Sequence, residues 1–375
     1  MRRHQRVALT AISALVSVGL VLVLLFAGSA TEGPFARVMH TVANLVSRTE
    51  NRAAMKLRGP GRIEQMKWLE GYRDDREVLV HPDTFLFGVY DDGTPATLDG
   101  VLALERAIGK PLALIQTYAA WGDKPEQAFP DRIVDAIHAI GSIPVITWEP
   151  WLTDFENSKH PDLPLRADRD RGGLASIAAG RYDFYLDQWA RDSKASKHLI
   201  MLRLAHEMND PYRYPWGPQN NQPQDFIAAW RHVVDRFRAA GATNVIWVWS
   251  PHVAYAGWEV YWPGDQYVDW VSTGALNYGT VANWSRWWTF DEIFGKHYAS
   301  LSGLNKPIMI AELGSVSVGG DRAGWYAAAL DSMRTKYPAV HAALFFNVRR
   351  DNTVTYQAID WSVLSDSATL RVLRR

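Results

Sequence analysis

The sequence predicts an α/β fold: a (β/α)₈ barrel preceded by an N-terminal transmembrane or signal helix. Three observations lead there. From Thr84 onward, apolar strand-like runs alternate with amphipathic stretches, the order expected of parallel strands joined by helices. There are eight such runs, the number that closes a barrel. Neither a G-x-G-x-x-G turn nor a phosphate loop is present, which weighs against an open dinucleotide-binding sheet.

The eight expected strands are Phe85–Tyr90, Leu112–Thr117, Ile143–Trp148, Leu199–Leu204, Asn244–Trp249, Val268–Ser272, Ile308–Ala311 and Ala342–Phe346. Helical segments lie between them, among them Asp131–Ile140, Pro223–Ala240 and Ala323–Thr335. The last two repeat apolar residues at three- and four-residue spacing. Gly141, Gly241 and Pro338 stand where helices should stop. The barrel is assigned to 81–375. Residues 31–80, rich in charge and broken by Gly59-Pro60-Gly61, are expected to be a juxtamembrane linker.

Residues 1–30 are expected to be a membrane anchor or a signal segment. Arg2, Arg3 and Arg6 precede an uncharged run from Val7 to Gly28. That run is long enough to cross a bilayer, at about 20 residues per crossing. It exceeds the ~7–15 apolar residues of a signal-peptide core. The basic flank places the N-terminus in the cytoplasm and the barrel outside it, tethered or, if Gly28-Ser29-Ala30 is cleaved, secreted.

Composition excludes several classes. Lys+Arg and Asp+Glu are 40 each, so no basic field exists to hold nucleic acid. Cysteine is absent, which removes disulfides, thiolate catalysis and cysteine zinc sites. Trp and Tyr, at 17 and 15, are abundant and suit a surface that stacks on sugar faces.

In such a barrel, residues just after each strand surround one pocket. Two carboxylates stand out: Glu207 in HLIMLRLAHEMND and Glu312 in KPIMIAELGS, after the fourth and seventh strands. Around them fall aromatic plates and amides: Trp121, Trp148, Trp151, His206, Trp216, Trp249, Asn277 and Tyr278. Plates stack on pyranose rings, and amides and acids bind hydroxyls. Retaining glycoside hydrolysis needs two carboxyls of unequal pKa, one protonated and one ionised. Glu207, beside His206 and aromatic neighbours, is the expected acid. Glu312, just before Gly314, is the expected nucleophile. Glu149 is a third strand-end acid. No HExxH spacing supports a zinc hydrolase built on His206 and His252, and no metal or organic cofactor is expected.

At these residues the chain resembles glycoside hydrolase family 26, whose members include endo-β-1,4-mannanases and mixed-linkage β-glucanases. The resemblance covers much of 80–365. It rests on ITWEPW ending at Trp151, the R-x-x-H-E-M-N run at 203–209 with Trp216, VIWVWSPH at 245–252, YWPGDQYVDWV at 261–271, KPIMIAELGS at 306–315 and the FFN turn ending at Asn347. It implies retaining chemistry with Glu207 as acid/base and Glu312 as nucleophile, and a cleavage subsite shaped by His206 and Trp216. Two positions depart from the family pattern. The tyrosine expected just before Asn277, whose hydroxyl would orient the nucleophile, is Leu276, with Tyr278 as the candidate substitute. The tryptophan expected beneath the cleaved sugar is Phe345. The implied function is endo-acting hydrolysis of a β-linked polysaccharide, a β-1,4-mannan or a β-glucan; the N-terminal anchor, and not the resemblance, adds the expectation of a link to processing of exported polysaccharide. The alternative is a catalytically weak or inactive carbohydrate-binding protein on the same barrel.

Overall fold

The structure, a computed structural model, describes residues 60–353, 355 and 357–374. Eight parallel strands close into a barrel in sequence order: β1 Leu86–Asp91, β2 Leu114–Ala120, β3 Ile143–Glu149, β4 Ile200–Leu204, β5 Val245–Trp249, β6 Trp270–Asn277, β7 Ile308–Ser315 and β8 Val340–Asn347. The seam between β1 and β8 runs from Leu86 opposite Ala342 to Asp91 opposite Asn347. Three short helices precede the barrel: α1 Pro60–Gln65, α2 Glu70–Asp74 and α3 Arg76–Val80. The remaining helices are α4 Asp99–Ile108, α5 Asp131–Ala139, α6 Gly173–Ala178, α7 Asp183–Ser196, α8 Pro223–Ala240, α9 Lys296–Ser302, α10 Arg322–Thr335 and α11 Ser367–Leu373.

All eight expected strands are present. Their ends shift by a residue or two, and more in three: the second runs on to Ala120, the sixth to Asn277 and the seventh to Ser315. The added residues include Gly274, Glu312 and Gly314, which carry little strand propensity of their own. Their neighbours impose the ladder: Gly274 lies opposite Glu312 and Leu276 opposite Gly314.

Alternation along each strand divides the core in two. One face fills the barrel interior with Leu86, Leu114, Val145, Met201, Ile246, Trp270, Met309 and Leu344. The other face, including Ile146, Trp148, Leu202, Trp247 and Ile310, packs against helices through Val134, Trp189, Val233, Phe237 and Ala329.

Residues 60–80 correct the expected linker. Leu69, Leu79 and Val80 join the same apolar cluster as the barrel interior and plug its N-terminal end. The Trp270 indole donates to the Leu79 carbonyl at 2.9 Å, and Arg76 pairs with Asp269 at 2.7 Å. The expected membrane or signal segment, 1–30, and the rest of the expected linker lie outside the described residues. Among the described residues no helix is long and apolar enough to cross a membrane.

Candidate active site

Toward its C-terminal end the barrel interior turns polar, with Gln116, Thr147, Arg203 and Ser272 buried inside it. Both expected carboxylates reach this end by a break in regular backbone. In β7, Thr273 and Gly274 of β6 face Ile310 and Glu312, so β7 carries one extra residue at Ala311. The pairing with β8 agrees, since Ile310 and Leu313 face Ala343 and Phe345. This is a β-bulge, a device that re-aims a side chain. Ala311 packs inside the barrel and Leu313 outside it. Glu312, which simple alternation after Ala311 would turn outward, therefore faces in. After β4 the chain turns through Ala205 (φ 41°) and Glu207 (φ 52°), left-handed conformations that non-glycine residues rarely adopt. Backbone bonds hold the turn: Ala205 N–H donates to Trp148 O, and Glu207 N–H to Ser250 O.

The two carboxylates sit in unlike surroundings. Glu312, 9% exposed, accepts from Arg203 Nη2 (2.6 Å) and from the Tyr118 hydroxyl (2.7 Å), both at Oε1. Burial by itself would push its pKa up. The Arg203 guanidinium and the Tyr118 hydroxyl outweigh burial and hold the carboxyl below its ordinary value. Glu207, 7% exposed, accepts from Arg213, whose Nε donates to Asp210 at 2.9 Å. His252 Nε2 lies 3.9 Å from Glu207. Glu207, Asp210 and His252 bring ligand-type atoms within 4.8 Å of one another, but the positive charge between the two carboxylates is that of Arg213.

Both carboxylates act on the same groups. Each shifts the titration of Arg203, Glu149, Tyr214 and Tyr278, which places them in one electrostatic site. Glu149, at the end of β3, accepts from the Trp151 indole at 2.9 Å, and burial pushes its carboxyl up to about 7. His206 is buried beside it. Burial, then Arg203 and Arg213, drive the imidazole pKa well down, so the ring is neutral.

The aromatic expectations divide by which face of the sheet they occupy. Trp151, His206, Trp216 and Tyr278 gather at the mouth. The Trp216 ring stands on Trp151 and Tyr214, and its indole donates to His206 O at 2.7 Å. Tyr278 packs on Trp284 and Trp361. Trp121, Trp148 and Trp249 do not belong there. None has exposed surface, and all three pack in the layer between strands and helices: Trp148 on Trp121 and Trp189, Trp249 on Trp258 and Trp262. They occupy the outward positions of their strands or the turn behind them. Asn277 is corrected too. It is fully buried, donates to Ser315 Oγ, and accepts from Gly279 N and Trp288 N, so its amide anchors a loop. Phe345 faces the helices, on Phe87 and Tyr326. The mouth position from β8 is Phe346, beside Tyr90 and Trp361.

Tyr118 directly follows the expected second strand, Leu112–Thr117, where residues surround the pocket, whereas Arg213 escaped sequence reasoning. Tyr118 faces inward on β2, one of the even-numbered positions with Leu114 and Gln116. Arg213 sits in an irregular loop whose course is set by Asp210, which accepts from Tyr212 N, Arg213 N and Arg213 Nε. Nothing periodic marks it. Tyr212 and Trp284, after β4 and β6, are large exposed rings of the kind that stack on sugars.

Residues 179–347 match the family model of glycosyl hydrolase family 26. The chain is 33% identical over 291 residues to Endoglucanase H of Acetivibrio thermocellus, covering 75% of this chain and 29% of that protein. It thus spans less than a third of that relative's length. It is 27% identical over 156 residues to mannan endo-1,4-beta-mannosidase A and B of Caldalkalibacillus mannanilyticus, covering 40% of this chain and 28% of that one. A solved GH26 beta-mannanase from Bacteroides ovatus shares the fold, with a TM-score of 0.56 at 16% identity over 84% of this chain and 92% of that one. The family match spans β4 to β8 and so contains both carboxylates together with the bulge and the strained turn that deliver them; the chain belongs to glycosyl hydrolase family 26.

Proposed function

We propose that this chain is an endo-acting, retaining β-glycosidase that cuts internal bonds of a β-linked polysaccharide. The observation that carries the reading is a pair of buried carboxylates at one barrel mouth, Glu312 fixed through one oxygen by Arg203 and Tyr118 and Glu207 bonded to Arg213. Glu312 is held ionised by Arg203 and Tyr118, the state a nucleophile needs. Glu207 stands among Arg213, His252 and Tyr214 and supplies the proton. In the first step Glu312 attacks the anomeric carbon while Glu207 protonates the departing glycosidic oxygen. In the second, Glu207 takes a proton from water, and that water releases the sugar from Glu312 with its configuration retained. Trp151, His206, Trp216 and Tyr278 form the walls around the cleaved sugar, with Glu149 beside them. The substrate is a β-glucan or a β-1,4-mannan. The name of the more extensive relative, an endoglucanase, puts glucan first in order of testing.

The test is turnover of the soluble protein on mixed-linkage glucan, mannan, xylan and cellulose with sizing of the products. Short oligosaccharides released from chain interiors are expected. Glu312→Ala should bring turnover below detection. Glu207→Ala should lose about 10²–10⁴-fold on polysaccharide and keep more activity on aryl glycosides with good leaving groups. Full activity of either variant overturns the assignment, and tight binding without cleavage by the wild type would mark a carbohydrate-binding protein instead. The barrel works outside the cytoplasm in this reading, tethered or released through residues 1–30, where it trims polysaccharide during export. Protease accessibility on intact cells and polysaccharide chain length in a deletion strain test that placement, and an unchanged chain length refutes the export role.

A further inference from the structure

We propose that Tyr118 is a positioning residue for the nucleophile: its hydroxyl and Arg203 together engage Oε1 of Glu312, so that Oε2 is the atom that attacks the sugar. This rests on the reading of Glu312 as nucleophile.

The geometry defines the direction of each bond. Arg203 Nε donates to Thr147 Oγ1 at 2.9 Å, which orients the guanidinium. Its Nη2 then donates to Glu312 Oε1 at 2.6 Å and to the Tyr118 oxygen at 3.0 Å. Having accepted from arginine, the Tyr118 hydroxyl directs its single proton to Glu312 Oε1, 2.7 Å away. The ring is fixed as well, edge-on to Tyr90 at 4.7 Å and to His206 at 5.9 Å. Thr147, Arg203, Tyr118 and Glu312 stand on β3, β4, β2 and β7, all rigid strands.

A free carboxylate has two equivalent oxygens. Two donors on one of them break that equivalence and set the carboxylate plane. Oε2 accepts no hydrogen bond from any described residue and lies on the side of Gly274, where even an added Cβ would stand 3.9 Å away. No side chain from Gly274 crowds that oxygen. The hydroxyl expected from the β6 side is missing: Leu276 has none, and Tyr278 packs on Trp284 and Trp361 without bonding Glu312. β2 supplies it instead.

The electron count follows. An Oε2 pair forms the bond to the anomeric carbon as the bond to the leaving oxygen breaks and that oxygen takes the Glu207 proton. Oε1 becomes the ester carbonyl and keeps its two donors. In the second half-reaction the ester C–O pair returns to Glu312 as water attacks. The donors are aimed throughout at the oxygen that does not react, so they steer without blocking.

The experiment compares wild type with Tyr118→Phe, measuring the pH profile of kcat/KM on an aryl β-glycoside and the rate at which a 2-fluoro glycoside traps Glu312. Tyr118→Phe should lower kcat about 10–100-fold with KM little changed, and slow the trapping in parallel. The acid limb should move to higher pH, because losing a donor to the ionised form disfavours that form. A folded Tyr118→Phe with wild-type trapping rate and pH profile overturns the proposal. Incorporation of 3-fluorotyrosine at 118, a stronger donor of nearly the same size, should move the acid limb the opposite way, and it serves if the phenylalanine variant does not fold. Failure of the underlying reading looks different: the wild type itself would then neither turn over nor be trapped at Glu312.

Discussion

Glu149 shows how one position at a strand end changes the chemistry of a carboxyl. Burial pushes its pKa up to about 7 against an ordinary 4.5, with Arg203 and the Trp151 indole only partly compensating. The consequence for stability has a definite sign. Below pH 4.5 the group is protonated both folded and unfolded. Between 4.5 and about 7 the unfolded chain releases the proton while the folded protein retains it, so folding grows less favourable as pH rises. Above about 7 that cost is complete. Glu149→Gln keeps an acceptor for Trp151 and removes the ionisation. Its melting temperature should therefore exceed that of the wild type by a margin that widens from pH 4.5 to 7 and then levels off. A margin independent of pH would mean Glu149 titrates normally.

At the scale of elements, two irregularities do what the strands themselves cannot. The turn after β4 places Ala205 and Glu207 at positive φ, at a cost of about 1–2 kcal/mol per residue. The Glu207 N–H to Ser250 O bond and the Asn209 clamp to the β5 loop, with bonds to His252 N and O, hold it there. In β7 the extra residue at Ala311 turns Glu312 inward while leaving Leu313 in the outer apolar layer. Deleting Ala311 should restore unbroken alternation, which keeps only one of these two placements. If Leu313 holds the outer layer, Glu312 must leave the mouth. If Glu312 stays, Leu313 gives up burial worth about 1.5–3 kcal/mol. Turnover at the level of Glu312→Ala, or a loss of that much stability by denaturant unfolding, is the expected outcome. A fully active and equally stable deletion would show that the bulge is dispensable.

At the scale of the molecule, the barrel is incomplete without the helices before it. Leu69 and Leu79 are wholly buried against strand side chains, and each contributes about 1.5–3 kcal/mol of burial. Their sum is comparable to the ~5–15 kcal/mol net stability of a folded protein. A chain beginning at residue 81 should be insoluble or melt far below one beginning at residue 58. Thermal unfolding and soluble yield of the two truncations check this, and equal stability would return 60–80 to the role of a linker.

By itself the sequence determined the architecture and set Glu207 and Glu312 at strand ends. Eight apolar runs, caps such as Gly241 and the motifs around Glu207 and Glu312 are local signals, and local chemistry sufficed to read them. Which face each side chain occupies was decided by the tertiary structure. Trp148 and Glu149 are adjacent in sequence, yet one lies in the helix layer and the other in the site, because strand side chains alternate every residue. The same one-residue distinction moved the β8 contribution from Phe345 to Phe346. Glu312 shows the limit most clearly. Its inward aim depends on a bulge visible only as mismatched pairing with β6 and β8, and no pattern within KPIMIAELGS contains its neighbours.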